Sequence, residues 1–236
     1  SMHVTAIVLA AGKGSRFNPG VSKPLFRIGS KPILIYSLLA LNRHPYIKDI
    51  IVAVNPLNKK NVIRKIKEYR ITKVKDVVLG GLRRQDSVRK GLKALDPSAD
   101  YVLIHDAARP FIDKNIISSV IKAAKKYGSA ISGVPVSFTV KQAKRIEGSN
   151  PAVAALVNKT IKRSNLWEIQ TPQVFKTGLI LRAYKKFGNH DVTDDSSLVE
   201  KIGKKVGIVR GSHFNIKITT PQDAFIASGI LKNKKF

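Results

Sequence analysis

The chain begins with an apolar segment that runs directly into a loop of small residues, and this arrangement limits the possible folds. Val4 to Leu9 is a continuous apolar run of strand length, typical of a strand buried on both faces of a parallel sheet. The following loop, AAGKGSRF, spans Ala10 to Phe17, and its small side chains let backbone amides approach an anion. Because loops at the carboxyl ends of parallel strands bind phosphates, the segment predicts a phosphate or nucleotide site with Arg16 and Lys23 as its cations.

The spacing of the glycines narrows the kind of phosphate loop. A P-loop requires Gly-Lys-Ser or Gly-Lys-Thr after four free positions, which this segment lacks. The dinucleotide pattern G-x-G-x-x-G fails because Arg16 stands in place of the third glycine, and the next strand ends in Val54-Asn55 without an acid for a ribose hydroxyl. The remaining pattern is G-x-G-x-x-R followed by Ser-Lys-Pro-Leu, which we interpret as a nucleotide site. A glycine-rich turn with solvated basic residues is the alternative.

Beyond this loop, apolar segments of strand length alternate with helical patterns as far as residue 128. This alternation predicts an α/β fold, a Rossmann-like, doubly wound and mostly parallel sheet with functional loops at the carboxyl ends of its strands. The predicted strands are Val4 to Leu9, Asp49 to Val54, Val74 to Leu79 and Tyr101 to Ile104. The predicted helices are Pro32 to Leu41, Asn58 to Tyr69, Asp86 to Leu95 and a fourth that Asp113 caps and that ends near Gly128.

The pattern changes after residue 130, although we expect residues 1–236 to form a single domain. Residues 130–135 predict a fifth strand, and residues 135–165 predict a projecting β-arm with a turn-rich tip at 148–151. The later predicted elements are a helix from Thr177 to Phe187, a helix capped by Thr193 or Asp194, strands at Val206 to Val209 and Phe214 to Ile218, and a final helix that begins at Thr220 with Asp223 at its third position.

The composition excludes several kinds of site and partner. The chain has no cysteine, which excludes disulfides, thiolate metal sites and a cysteine nucleophile. Its 43 lysines and arginines exceed its 15 acids and give a net charge of +28, which attracts anions. These basic residues are spread along the chain without a zinc-finger spacing or an aromatic RNA-binding pattern, so we do not expect nucleic acid as a partner. With no membrane-spanning apolar run and no signal region, we expect a cytoplasmic protein.

A carboxylate follows the fourth predicted strand, at the sheet edge that also carries the first loop. Asp106 would face Arg16 and Lys23 there. Magnesium prefers one or two carboxylates together with phosphate oxygens, so we interpret Asp106 as a magnesium ligand beside a triphosphate. The alternative is an aspartate that caps a turn, with Arg109 as its ion-pair partner. We expect His105 to be a structural histidine rather than a base.

Lys217 interrupts the apolar residues of a predicted strand near the end of the chain. Burying a lysine without an anion is costly, so we favour a phosphate contact over an exposed edge lysine. Thr139-Val140-Lys141 and Lys162-Arg163 flank the arm. From these residues alone, a basic hairpin rim and a substrate-binding pair are both open.

The chain lacks the motifs of the common hydrolases, namely a serine-histidine-acid order, HExxH or an isolated pair of carboxylates. A phosphate monoester acting as nucleophile needs no general base, because its second pKa near ~6 leaves it mostly a dianion at neutral pH. Catalysis then requires cations and in-line positioning. Arg16, Lys23, Lys217 and magnesium at Asp106 would suffice.

Eight segments occur along the chain in an order that resembles one family. They are LAAGKGSRF, SKPL, GGLRRQDSV, HDAARPF, RSNLW, QTPQVF, VTDDSSLVE and NIKITTPQD. Together they resemble the 2-C-methyl-D-erythritol 4-phosphate cytidylyltransferases, the IspD family of the non-mevalonate isoprenoid pathway. The resemblance implies a Rossmann-like nucleotidyltransferase fold, a homodimer with interlocked β-arms, and transfer of CMP from CTP to a sugar-alcohol phosphate with release of pyrophosphate.

The resemblance also implies roles for individual residues. Arg16 and Lys23 match the family's triphosphate-binding cations, and Lys217 matches a lysine near the α-phosphate and the acceptor, so these three form the expected catalytic set. Asp106 matches the magnesium ligand beside the substrate. The expected nucleotide-binding positions are Ala10, Ala11, Gly12, Gly14, Gly81, Ser87 and Ala107.

On the arm, Thr139 and Arg163 match residues that bind the acceptor phosphate and polyol, donated in the family by the neighbouring subunit. Phe138 and Lys162 depart from the family, which usually or often has Asp at these positions, so negative charge near the acceptor is removed. Ribitol-5-phosphate cytidylyltransferases share the fold and much of the nucleotide site, and they are the alternative reading. An alternative of another class is a basic nucleotide- or RNA-binding module, which would have no reason to keep Asp106 beside three cations.

Overall fold

The computed structural model describes residues 2–12, 14, 17, 20, 22–145 and 154–233 of the chain. Two sequence predictions fall outside these ranges, namely the role of Arg16 in the first loop and the tip of the arm at 148–151. The other predicted elements and site residues lie within them.

Strands and helices alternate over most of the described chain. The strands are β1 (Val4–Ala10), β2 (Arg27–Ile28), β3 (Lys31–Pro32), β4 (Ile47–Val54), β5 (Val74–Leu79), β6 (Tyr101–Asp106), β7 (Ser129–Pro135), β8 (Val140–Arg145), β9 (Ala155–Ile161), β10 (Trp167–Lys176) and β11 (Gly207–Arg210). The helices are α1 (Ile33–Arg43), α2 (Lys59–Glu68), α3 (Arg84–Lys93), α4 (Lys114–Tyr127), α5 (Thr177–Phe187), α6 (Ser196–Lys201) and α7 (Pro221–Asn233). Within the described ranges, no helix has the length and apolar character needed to cross a membrane.

Seven of the strands form one sheet in the order β11-β7-β10-β6-β1-β4-β5. Neighbouring strands are parallel except where β10 takes part, because β10 runs antiparallel to both β6 and β7. Helices pack on both faces of the sheet. The predicted Rossmann-like, doubly wound and mostly parallel α/β sheet is therefore confirmed, and the loops that follow β1, β4, β5 and β6 lie on one edge.

Strand β1 lies in the middle of a core that has two sides. Val4, Ala6 and Val8 pack in a cluster with α1 and α4, whereas Ile7 packs in a second cluster with α3 and α5. Successive strand side chains point to opposite faces, so a central strand covered on both faces needs apolar residues at consecutive positions. This packing fixes the point at which the first loop leaves the sheet.

Three of the predicted helix-terminal residues are confirmed, whereas the helix predicted from Asp86 to Leu95 runs from Arg84 to Lys93. Asp113 accepts a hydrogen bond from the N–H of Ile116 at 2.8 Å, and Gly128 closes α4 in the left-handed conformation with φ 85°. Asp194 accepts from the N–H of Ser197 at 3.1 Å at the start of α6. Short polar side chains thus fix these helices at their first turns.

The predicted strand at Phe214 to Ile218 is wrong, because these residues form no strand. Side-chain hydrogen bonds and isolated backbone hydrogen bonds hold this segment in place, rather than the regular backbone hydrogen bonds of a β-sheet. Asn215 Nδ2 donates to the carbonyl of Thr171 at 2.8 Å, and the N–H of Ile218 donates to the carbonyl of Ala108 at 2.8 Å. The segment therefore crosses the loops at the sheet edge rather than adding a strand to the sheet.

The β-arm is confirmed as far as its residues are described. Strands β8 and β9 pair antiparallel, with Val140 opposite Ile161, in a two-stranded sheet separate from the main one. Nearly all residues of both strands are exposed. The chain then returns through β10 to the centre of the main sheet.

Candidate active site

The loops after β1, β4, β5 and β6 surround a cleft of about 540 Å³, which we call the first cleft. Lys23, Asp106 and Lys217 line it. The lining also includes every predicted nucleotide-binding residue, namely Ala10, Ala11, Gly12, Gly14, Gly81, Ser87 and Ala107. The fold thus brings the predicted residues from both ends of the chain to one sheet edge.

Two glycines after β5 let this loop pack closely against its neighbours. A Cβ on Gly80 would overlap the side chain of Ala11, and a Cβ on Gly81 would overlap Asp86. The N–H of Gly81 donates to Ser87 Oγ at 3.1 Å and so orients that hydroxyl in the first turn of α3. The wall of the first cleft is therefore built from backbone and small side chains, as a surface that approaches a ligand closely requires.

Four charged side chains meet where β6 ends, and we call them the ion-pair cluster: Arg84, Asp106, Asp195 and Lys217. Arg84 Nε lies 3.0 Å from Asp106 Oδ1, and Arg84 Nη1 lies 2.8 Å from Asp195 Oδ2. Lys217 Nζ lies 2.9 Å from Asp106 Oδ2. Asp106 and Lys217, which the sequence singles out independently, are thus in direct contact.

The charges of the cluster stabilise one another against the cost of burial. Burial opposes ionisation of Asp106, but the positive charges of Arg84 and Lys217 outweigh it and hold the pKa of that carboxyl well below its usual range. Burial also disfavours the charged form of Arg84, yet Asp195 and Asp106 raise the pKa of its guanidinium. Asp106 and Arg84 are therefore both charged at neutral pH.

Asp195 is 0% exposed, and a second hydrogen bond supports its charge. Tyr184 Oη donates to Asp195 Oδ1 at 2.5 Å. Burial and the negative charge of Asp195 raise the pKa of the Tyr184 phenol, which stays protonated and donates. Sequence reasoning missed Arg84 and Asp195, because RR in GGLRRQDSV and DD in VTDDSSLVE do not reveal which member of each pair enters the cluster. It also missed Tyr184, which lies in neither segment.

His105 is a structural residue, as expected. Its Nε2 donates to the carbonyl of Arg109 at 2.9 Å, and its Nδ1 accepts from the hydroxyl of Thr171 at 2.9 Å. The same hydroxyl accepts from the N–H of Asp106 at 3.0 Å. Burial lowers the pKa of His105 to about 4, so a neutral imidazole anchors the strand end that presents Asp106.

Arg109 is not the ion-pair partner of Asp106 that the alternative interpretation required. Its Nη1 donates to the carbonyl of Asn215 at 2.7 Å, and burial lowers the pKa of its guanidinium. The Nε of Arg109 is buried and has no hydrogen-bond partner within the described part of the chain. Arg109 is therefore a partly buried cation whose hydrogen-bonding capacity is only partly used.

A second cleft, of about 480 Å³, adjoins the first. The two share Arg84, Asp106 and Lys217, so these three members of the ion-pair cluster lie on their boundary. Polar residues line the second cleft beyond the cluster: Arg109, Gln170, Thr171, Gln173, Thr193, Asp194, Ser196, Ser197 and Glu200. One charged centre thus faces two adjacent cavities.

Comparison with known proteins decides the family. Residues 4–233 match the model of the IspD family, 2-C-methyl-D-erythritol 4-phosphate cytidylyltransferase. This chain belongs to the IspD family. A protein of that name from Geobacillus kaustophilus is 40% identical over 235 residues, which cover 99% of both chains. Another, from Bacillus cereus, is 39% identical over 233 residues, which cover 98% of this chain and 99% of the relative.

Solved structures agree with this assignment. The 4-diphosphocytidyl-2C-methyl-D-erythritol synthase of Anaerococcus prevotii gives a TM-score of 0.83 at 32% identity, covering 98% of this chain and 96% of that one. The 2-C-methyl-D-erythritol 4-phosphate cytidylyltransferase of Thermus thermophilus gives a TM-score of 0.76 at 26% identity, covering 98% and 100%. As an IspD-family member the chain is a cytidylyltransferase, and the non-catalytic nucleotide- or RNA-binding alternative is wrong.

The arm residues that match the family lie together at the base of the hairpin. Thr139 directly precedes β8, and Arg163 follows β9 and donates to the carbonyl of Ser137. Both are exposed, and so are their neighbours Phe138 and Lys162. Among the described residues that line the two clefts of this chain, neither Thr139 nor Arg163 occurs. The structure therefore brings these two residues together but not to the ion-pair cluster of the same chain.

The donor set near the cluster fits magnesium only in part. In the described ranges, no group of three His, Cys, Asp or Glu side chains is arranged to hold a metal ion. Asp106 is a single carboxylate, and each of its oxygens keeps a lone pair beside its contact with Arg84 or Lys217. A site with one carboxylate suits magnesium when phosphate oxygens and water complete the shell.

Proposed function

We propose that the chain transfers CMP from CTP to 2-C-methyl-D-erythritol 4-phosphate at the ion-pair cluster, within a single nucleotidyltransferase domain. This is the reaction of the IspD family in the non-mevalonate isoprenoid pathway. The observation that carries the location is the 2.9 Å contact between Asp106 and Lys217 on the boundary of two clefts. Two substrates that react with each other need adjacent sites with a charged centre between them.

CTP occupies the first cleft in this proposal. The backbone of Ala11, Gly12 and Gly81 and the hydroxyl of Ser87 line it, and Lys23 supplies a cation for the triphosphate. Arg16 is the second triphosphate cation that the family resemblance implies. Backbone N–H and C=O groups in this cleft can form hydrogen bonds with cytosine. The close approach of the backbone favours a base of limited size.

The acceptor occupies the second cleft. Thr193 and Glu200 are exposed and line it, and their hydroxyl and carboxylate groups suit the hydroxyls of a polyol. Arg109 and Lys217 supply positive charge at the end that meets the first cleft, which suits the acceptor phosphate. The acceptor phosphate then lies next to the α-phosphate of CTP.

The reaction needs no side chain as general base. An oxygen of the acceptor phosphate, mostly a dianion at neutral pH, attacks the α-phosphorus of CTP. The bond from that phosphorus to the bridging oxygen of the β-phosphate breaks, and pyrophosphate leaves with the electron pair. Lys217 and Lys23 stabilise the charge that spreads over the phosphoryl oxygens, while Asp106 holds Lys217 in place.

Magnesium is the proposed cofactor, with Asp106 as the protein ligand. When bound, it would neutralise charge on the triphosphate and on the leaving pyrophosphate. Asp106 is suited to this role because its carboxylate stays ionised and lies at the edge of the first cleft. Arg84 keeps that carboxylate from turning away.

A second copy of the chain is the proposed partner of the β-arm. An isolated two-stranded hairpin is marginal in water, and β8 and β9 bury little of their own surface. In a two-fold homodimer, Thr139 and Arg163 of one subunit would approach the acceptor in the second cleft of the other. This arrangement accounts for their absence from the described cleft linings of their own chain.

A paired substrate assay tests the proposed function. The purified chain is offered CTP and magnesium with either 2-C-methyl-D-erythritol 4-phosphate or ribitol 5-phosphate, and pyrophosphate and the cytidylyl product are measured. We expect kcat/KM to be at least ~10²-fold higher for the methylerythritol substrate, since a site that pairs specific hydroxyls rejects a mismatched polyol. A mock purification from cells that lack the gene, run in parallel, reports any contaminating activity. Faster turnover of ribitol 5-phosphate, or no product from either acceptor, would contradict the proposal.

A further inference from the structure

The guanidinium of Arg84 joins two carboxylates that come from different parts of the fold. Its Nε faces Asp106 at the end of β6, and its Nη1 faces Asp195 at the start of α6. A guanidinium presents its donors in a rigid planar fork, so its orientation is fixed when both partners are in place. The direction of Arg84, and hence its contact with Asp106, depends on Asp195.

The contact between Arg84 and Asp106 uses only one oxygen of the carboxylate. Arg84 Nε contacts Oδ1 at 3.0 Å, which leaves Oδ2 for Lys217 at 2.9 Å. An arginine with one carboxylate partner commonly binds both oxygens through two parallel hydrogen bonds. Here Nη1 contacts Asp195 Oδ2 at 2.8 Å instead, so the guanidinium bridges two carboxylates through Nε and Nη1.

Asp195 itself does not line either cleft. Among the described residues, the two linings include Arg84 but neither Asp195 nor Tyr184. Asp195 is nevertheless kept fully buried, with Tyr184 Oη donating to its other oxygen at 2.5 Å. A buried carboxylate is costly unless it is paired. Asp195 is paired with partners on two helices, Arg84 on α3 and Tyr184 on α5.

We propose that Asp195 is a positioning residue for the cytidylyl transfer. It neutralises the charge of Arg84 and fixes the orientation of its guanidinium. Asp106 then keeps one oxygen and its negative charge for Lys217 and the substrates. Tyr184 supports Asp195 in this role. Without Asp195, the cluster would contain two cations and one carboxylate, and Arg84 would compete with Lys217 for Asp106 Oδ2. The inference rests on the proposed function, because it assigns Asp195 to the same reaction.

The test compares Asp195→Asn with a matched control. The control is Asp191→Asn, since Asp191 lies in the same loop, is 94% exposed in its side chain and is 4.0 Å from the neighbouring Arg83. We expect Asp195→Asn to lower kcat at least ~10-fold while the KM for CTP changes less than ~3-fold, because the lost interaction acts on the reacting centre. Asp191→Asn should match the wild type.

A double-mutant cycle separates positioning from a purely structural role. If Asp195 acts through the pairing of Asp106 with Lys217, Asp195→Asn should cost at most ~2-fold in kcat when Lys217 is already alanine. A loss of equal size in both backgrounds would overturn the proposal, since it would show that Asp195 only supports the fold. Wild-type kcat in Asp195→Asn would overturn it as well.

Tyr184→Phe keeps the proposal testable if Asp195→Asn does not fold. It removes one hydrogen bond to Asp195 and leaves both charges, so we expect kcat to fall about 2- to 5-fold with the same dependence on Lys217. An unchanged kcat in a folded Tyr184→Phe variant would then overturn the proposed positioning role of Asp195. Failure of the proposed function is distinguishable, because the wild-type chain itself would then form no cytidylyl product or would turn over ribitol 5-phosphate faster.

Discussion

The ion-pair cluster and the β-arm differ in how completely a single chain builds them. In the cluster, Asp106 is 7% exposed and Asp195 is 0% exposed, and each charge has a partner within the chain. On the arm, Leu156 and Val157 are each 62% exposed and Phe138 is 79% exposed. The cluster is therefore organised before substrate arrives, whereas the arm leaves apolar side chains exposed in the single chain, which the proposed homodimer would cover.

The two regions differ in the free-energy cost of burying their side chains. Burying charges is expensive, and the chain offsets that cost with the mutual contacts of Arg84, Asp106, Asp195 and Lys217. In return, the charges that we propose act on the substrates are already oriented. The arm stays exposed in the single chain, so the contribution that we propose for it depends on the proposed homodimer.

The largest expected effect comes from removing the central charge of the cluster. Asp106→Asn should lower kcat at least ~10²-fold, because Lys217 loses its anchor and magnesium loses its anionic ligand. The fold should survive, since Arg84 keeps Asp195 and the Lys217 side chain is 40% exposed and free to turn to solvent. Steady-state kinetics over a magnesium titration, with circular dichroism, measure both effects.

Asp76→Asn is the control for this change, because Asp76 is an exposed aspartate on the edge strand β5. It should have wild-type kinetics. An Asp106→Asn variant with wild-type turnover and an unchanged magnesium requirement would show that the catalytic charge lies elsewhere. The ion-pair cluster would then no longer differ from the β-arm as a site organised within one chain.

Subunit mixing tests whether the arm acts on the neighbouring chain. Arg163→Ala and Lys217→Ala homodimers should each be nearly inactive. After exchange of equal amounts, about half the dimers are heterodimers with one intact site each, so activity should approach about a quarter of the wild-type value. The measurement is pyrophosphate release after subunit exchange, with heterodimers verified by native mass spectrometry.

The control for mixing is a sample of each variant exchanged with itself, which should gain nothing. Verified heterodimers without recovered activity would show that Arg163 does not reach the partner's site. The arm would then differ from the cluster only in exposure and not in the chain that it serves.

The smallest effect is expected at Phe138, where the family usually has an acid. Phe138→Asp should raise the KM for the acceptor less than ~5-fold and leave the KM for CTP unchanged, because solvent and salt screen a charge at an exposed position. Kinetics at low and at physiological ionic strength measure this, and the effect should shrink with salt. A large change in kcat would mean that the arm is organised as tightly as the cluster.

Local patterns predicted most of the fold because local forces decide those elements. The apolar run of β1, the cap at Asp113 and the left-handed Gly128 follow from single-chain geometry, and the structure confirms them. The strand predicted at Phe214 to Ile218 failed because its backbone and side chains bond to loops distant in sequence. No local pattern encodes those partners.

The candidate site was predicted to a similar extent, with the family resemblance supplying the roles. Asp106 and Lys217 stood out because a charge follows or interrupts an apolar strand pattern, and they meet in the structure. Arg84 and Asp195 did not stand out, since each has an identical neighbour in sequence and only tertiary packing decides which of the two joins the cluster. The role of Arg16 stays a prediction.

Chemical replacement of Lys217 tests the central claim, catalysis by its positive charge between the two clefts, most directly. The chain has no cysteine, so Lys217→Cys introduces a unique thiol that 2-bromoethylamine converts to a lysine analogue with sulfur in place of one methylene. We expect Lys217→Cys to lose at least ~10²-fold in kcat, aminoethylation to restore at least ~10-fold, and a neutral carbamidomethyl group to restore nothing. Wild-type turnover by Lys217→Cys, or equal recovery with the neutral group, would contradict the account.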